Sequence, residues 1–188
     1  MIPRYLTFGI LLAAITVQAQ TNGESAVKPE LMNHIYVIGD SSHLNSLEKG
    51  KVTMVTKMKL AGFGGSSSAY KMEGNSSSVR IPNSQPQFAI KMSGTMGDPT
   101  NYLRLYKFKT KNNVREATIT SMGPMGAKAD YDAEGIPYLV KNPSDGIYIL
   151  VPEKILEPGE YVFVNMMMTS GTGKKDMAYA AFAFAIDR

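Results

Sequence analysis

The chain predicts an all-β fold, an antiparallel β-sandwich or partly open barrel of about nine or ten strands, and three observations carry that expectation. Short apolar runs rich in β-branched and aromatic residues recur along it, each about the length of a strand. Clusters of Gly, Pro, Asn, Asp and Ser separate these runs and favour turns. No segment keeps a 3.6-residue apolar period for the roughly ten residues a crossover helix needs, which argues against βαβ units.

The first residues read as an address. Arg4 gives a positive start, Leu6 to Val17 an apolar run, and Val17-Gln18-Ala19 a small-residue cleavage site, so residues 1–19 are expected to be a cleaved signal peptide. Gln18 and Gln20 cut the run short of the roughly 20 apolar residues that span a bilayer, so no integral membrane span is expected in the mature chain. Residues 20–33 follow as a polar, flexible lead, and residues 34–188 as a single domain.

Composition narrows the classes. At 188 residues and 44% hydrophobic the chain can bury a core of its own. The absence of cysteine excludes disulfides, thiol nucleophiles, thiolate metal sites and a lipidated cysteine after the leader. It suits a bacterial envelope protein, periplasmic or extracellular. Twenty basic side chains against sixteen acidic give +4, falling to +3 once Arg4 leaves with the leader. The lysines stand singly along strands, as at Lys57, Lys59, Lys71, Lys91, Lys107 and Lys109, a pattern of solvated faces that predicts no nucleic-acid partner.

The elements follow in order. His34 to Ile38 is a first strand, ended by Gly39-Asp40-Ser41-Ser42, with a short helical turn expected over Leu44–Lys49. Lys51 to Leu60 alternates, with Val52, Met54, Met58 and Leu60 on one face and Thr53, Lys57 and Lys59 on the other. Gly62 to Ser68 reads as a flexible reversal, and Ala69 to Glu73 as the strand pairing back. Val79-Arg80-Ile81, flanked by Pro82 and Pro86, suits an edge. Phe88, Ile90 and Met92 mark an inward face. Tyr102 to Lys109 is dense enough in apolar residues to be central, and Lys111-Asn112-Asn113 turns it into a partner strand over Arg115–Thr120.

Pro137 to Lys141 and Ile147 to Val151 are the next strands, separated by the Asn142 to Gly146 cluster. Pro158-Gly159 then reverses the chain, proline presetting φ and glycine accepting a positive one, and Tyr161 to Met166 follows. In Met177 to Asp187, Ala181, Ala183 and Ala185 face one way and Phe182, Phe184 and Ile186 the other, so something bulky must lie close to the alanine face.

Leu156-Glu-Pro-Gly-Glu-Tyr161 and Ala181-Phe-Ala-Phe-Ala-Ile-Asp187 together resemble the closing strands of small uncharacterised exported β-sandwich proteins of Bacteroidota-type bacteria. The resemblance implies a sandwich and an exported habitat, and brings no active-site residue with it.

Few side chains suggest chemistry. His34 and His43 are the only neutral-pH proton carriers, and Ser66–Ser68 and Ser76–Ser78 lack a G-x-S-x-G elbow. Asp130-x-Asp132-x-Glu134-Gly135 imitates the start of a calcium loop, but Lys141 stands where a bidentate glutamate closes one, leaving Asp130, Asp132 and Glu134 as candidate metal ligands of a looser site. Ser170-Gly171-Thr172-Gly173-Lys174-Lys175 lacks the spacing of a phosphate loop and reads as a basic hairpin loop. Thirteen methionines, with Met166-Met167-Met168 contiguous, suggest core filling or an adaptable apolar surface.

No catalytic residue and no cofactor is implied. The sequence is expected to encode an exported, non-enzymatic module binding an envelope protein, peptide or glycan. Two alternatives are a hydrolase of envelope or extracellular polymer using Asp130, Asp132 or Glu134, and a structural subunit assembled by strand addition.

Overall fold

The computed structural model describes residues 27–58, 65–93, 97–123, 129–131, 135–144, 146–170 and 177–187. Among the described residues, fourteen strands form two antiparallel sheets. The smaller sheet has the order β11 (Tyr138–Ser144), β12 (Ile147–Pro152), β6 (Gln87–Lys91), β1 (Ile35–Ile38) and β2 (Leu44–Ser46). The larger runs β10 (Ala129–Tyr131), β9 (Val114–Met122), β4 (Ser66–Glu73), β3 (Glu48–Met58), β14 (Ala178–Ile186), β13 (Gly159–Ser170) and β7 (Leu103–Lys107). Beside it, β5 (Arg80–Ile81) pairs in parallel with β14, and β8 (Lys109–Lys111) pairs with β9. Of the fourteen, β2, β5, β8 and β10 are two or three residues long and too short to show a period; the other ten are the strands that periodicity can report.

The larger sheet curls into a partial barrel. Chain continuity shows how: β7 pairs with β13, one residue later β8 pairs with β9, and the two partners lie at opposite ends of the run. Phe108, between β7 and β8, marks the crossing and is buried, with the Arg115 guanidinium 5.8 Å from its ring centre. Tyr106 of β7 meets Tyr70 of β4 at 5.5 Å across the interior, although three strands separate them in the sheet. Gly50, Ala181 and Ala183 leave the room. A Cβ on Gly50 would strike the end of the Met72 side chain, and the two alanines are fully buried beside Val52, Val162 and Val164.

The outer face of β13 and β14 packs against the smaller sheet. Tyr161, Phe163, Phe182, Phe184 and Ile186 meet Ile35, Phe88, Ile90, Tyr138 and Leu150 there, all buried. Phe88 stands 4.8 Å from Phe184 and 5.0 Å from Phe163, tilted and edge-on, geometries that aromatic quadrupoles favour. The alternation of β14 is therefore two-sided, as expected: phenylalanines fill the sandwich, and alanines admit the tyrosines of the barrel.

Local readings were corrected in four places. Within Leu44–Lys49, β2 ends at Ser46 and β3 begins at Glu48, and the helical turn falls earlier, at Asp40–Ser42. Ser66–Ser68 belong to β4, where Ser68 Oγ lies 2.9 Å from Thr56 Oγ1. The run over Tyr102–Lys109 ends the hydrogen-bonded order, because its apolar density reports burial on two faces, Leu103 and Leu105 in the sandwich and Tyr106 in the barrel. Met54 and Met58 share the face of Val52 but are 48% and 75% exposed, since β3 runs out to one end of the barrel. The turn at Asn112 and Asn113, with φ of 52° and 60°, forms as expected. Of the polar lead, residues 27–33 lie against the domain: Pro29 is buried, Leu31 N–H donates to the Tyr36 hydroxyl, and Asn33 N–H donates to the Lys91 carbonyl at 2.7 Å.

Candidate functional site

Strand pairing assembles what the sequence scatters. With Val52 directed into the barrel, Lys49, Lys51, Val55 and Lys57 of β3 lie on its outer wall by alternation. On β4, Tyr70 and Met72 point in, so Lys71 and Glu73 point out. On β9, Arg115 and Ala117 point in and Val114 and Glu116 out, opposite Lys111 and Lys109 of β8. Register puts Thr53, Lys71, Glu116 and Lys109 in one row across the four strands. Among the described residues, six lysines thus share this wall with two glutamates, leaving four net positive charges.

A groove of about 490 Å³ crosses the wall, lined by Val55, Lys57, Lys71, Lys111, Asn112, Val114 and Glu116. Val55 and Val114, both half-buried, line it on opposite sides of the Lys71–Glu116 row. Lys57 Nζ donates to both oxygens of Glu116, at 2.9 and 3.0 Å, and Lys71 reaches Glu73 at 3.0 Å. Lys51, Lys109 and Lys111 have no ion-pair partner among the described residues. The wall therefore offers open ammonium groups around one carboxylate already held.

The ends of the barrel differ from its wall. At one end Arg115, 2% exposed, donates through Nη2 to Glu48 at 2.8 Å and to the Glu73 carbonyl at 3.2 Å. Its Nη1 lies 3.7 Å from Glu160, which accepts from Ser77 N–H and Arg80, and Arg80 also pairs with Asp187. Burial acts to raise the Glu48 carboxyl, but hydrogen bonds from Arg115, Ser77 and Ser78 outweigh it and hold it below its ordinary range. Glu48 and Glu160 flank this buried arginine, and the same two carboxylates accept from the backbone N–H groups of Ser78 and Ser77.

At the other end the methionines gather. Asn165, 1% exposed, accepts from the backbone N–H of Met167 and Met168 through Oδ1, and the pairing with β14 jumps from Asn165 to Thr169. Met166–Met168 thus bulge out of register, which a strict alternation from the sequence misses; Met167 is 59% exposed.

The residues singled out for chemistry are described only in part. Asp130 lies in β10 opposite Ser121, while Asp132 and Glu134 fall outside the described residues, as do 171–176 of the basic loop and the 1–19 leader. Among the described residues no three His, Cys, Asp or Glu side chains are close enough to hold a metal ion. His34 is buried, its Nε2 2.6 Å from Ser46 Oγ and its ring edge-on to Phe182, and burial followed by the nearby Lys49 lowers its pKa. His43 is exposed in the turn before β2. The lysine wall was missed because lysines from three strands become neighbours only through pairing. The signal available was the shared odd parity of Lys49, Lys51 and Lys57, facing the Lys109–Lys111 arm of a hairpin.

No family model, no curated protein and no solved structure matches this chain. Among the described residues no helix is long and apolar enough to cross a membrane.

Proposed function

We propose that the protein is an exported, non-enzymatic binding module of the bacterial envelope or extracellular space, and that its ligand is an anion held on the lysine wall. The observation that carries this reading is the collection of six lysines and two glutamates, among the described residues, on one barrel wall crossed by a groove. A charge excess placed on paired strands is pre-organised, so binding an anion there orders little that is not ordered already. The strand-addition alternative draws less support, because one edge of the smaller sheet, β2, is three residues long and the other, β11, carries Lys141, Pro143 and irregular pairing. The hydrolase alternative needs Asp130, Asp132 or Glu134 to converge with another acid, and the acids described on the wall itself, Glu73 and Glu116, are each engaged by a lysine.

The test is calorimetric titration of the mature protein with poly-L-glutamate, polygalacturonate and polyphosphate at low and moderate salt. At least one should bind, weaken as salt rises, and lose about tenfold or more when Lys57, Lys71 and Lys111 are all changed to Ala, at roughly 0.5–1 kcal/mol per exposed ionic contact. No binding by any polyanion, or binding untouched by the triple change, overturns the reading.

A further inference from the structure

Resting on that reading, we propose that the ligand is an acidic, extended segment of a partner protein, whose carboxylate takes the place beside Lys57 that Glu116 occupies in the free molecule. Three features of the groove select it. The cationic groups of the wall are ammonium ions, point charges on flexible stems, and none is the guanidinium fork that matches one planar phosphate or carboxylate two-handedly. Anions spread along a chain suit them.

The lining selects further. Among the described residues, none that lines the groove is aromatic, so none of them offers a face on which a sugar ring or a nucleobase could stack. Val55 and Val114 offer instead two apolar patches, one on each side of the Lys71–Glu116 row, and the lysine stems add to them while lifting their charges to the rim. A polypeptide can bring apolar side chains to these patches and carboxylates to the rim, which an all-polar polymer cannot. From β3 to β8 the wall crosses three strand spacings, roughly 14 Å, the span of about four extended residues.

Glu116 shows the chemistry the wall accepts. Its two oxygens already sit within 3.0 Å of Lys57 Nζ, one carboxylate on one ammonium at the edge of the groove. An incoming carboxylate exchanges with it, so Glu116 competes with the ligand. Removing its charge should therefore strengthen binding, whereas a purely structural Glu116 would weaken binding on removal.

The experiment titrates the wild-type mature protein and the variants Glu116→Gln and Val114→Thr with a soluble peptide alternating Glu and Val, with poly-L-glutamate, with polygalacturonate and with polyphosphate. The alternating peptide should bind most tightly per carboxylate, Glu116→Gln should tighten it about two- to fivefold, the worth of an exposed ion pair, and Val114→Thr should erase its advantage over poly-L-glutamate. Tightest binding by polygalacturonate or polyphosphate overturns the peptide assignment and leaves the anion-binding reading standing. Weaker binding by Glu116→Gln overturns the exchange. No binding by any of the four overturns both.

Discussion

The molecule holds two cores that share three strands, β7, β13 and β14, and they are built on opposite plans. Between the sheets, Phe88, Phe163, Phe182, Phe184 and Tyr161 make an aromatic cluster into which, among the described residues, no charged side chain is buried. Inside the barrel β13 and β14 present Val162, Val164, Ala181 and Ala183, and the bulk comes from Tyr70, Tyr106 and Met72 across the interior, with Arg115 buried at one end. The difference follows from distance. Separate sheets pack about 10 Å apart and need large side chains to meet, whereas a sheet curled on itself crowds the concave face and admits large residues only where the neighbour is small.

The largest expected effect comes from emptying the sandwich. Phe184→Ala removes a ring packed 5.4 Å from Tyr161 and 4.8 Å from Phe88, and should cost about 3–5 kcal/mol in urea unfolding, a large share of a domain stability of roughly 5–15. A loss under about 1 kcal/mol would mean that the aromatic cluster is not the dominant core. Overfilling the barrel is the converse test. Ala183→Phe puts a ring into the concave face and should cost on the order of 1–3 kcal/mol; a neutral result would show a roomier interior than the alanine and glycine positions imply.

The smallest effect is at the sandwich margin, where His34 leans on Phe182. Its folded pKa lies below the unfolded value of about 6.5, so the unfolded chain binds the proton more readily. Stability from this residue is full above about pH 6.5 and is lost as pH falls toward and through the lower folded pKa. Urea midpoints measured between about pH 8 and pH 5 should decline for the wild type and decline less for His34→Gln; equal declines would place the sensitivity elsewhere.

Local geometry was the legible part of this sequence. Alternation in β14 sorted its alanines from its phenylalanines, and Asn112-Asn113 marked a hairpin, because both are written in residues a few positions apart. What escaped depends on partners far along the chain. Phe108 looks like one more apolar residue of a strand until β7 and β8 take separate neighbours on either side of it. Asn165 carries no visible instruction for a bulge until it is buried and finds the N–H groups of Met167 and Met168. The lysine wall escaped likewise, since Lys57 and Lys111 are 54 positions apart yet line one groove.

The double duty of β14 bears on the order of events during synthesis. It pairs with β3, which begins at Glu48, and supplies Phe182 and Phe184 to one core and Ala181 and Ala183 to the other. Neither core can close until residues near 186 have been made, so an emerging chain stays loose for most of its length. Contacts of such long sequence separation form slowly. A nascent chain that cannot complete its fold early is also one that remains threadable through a narrow translocation channel.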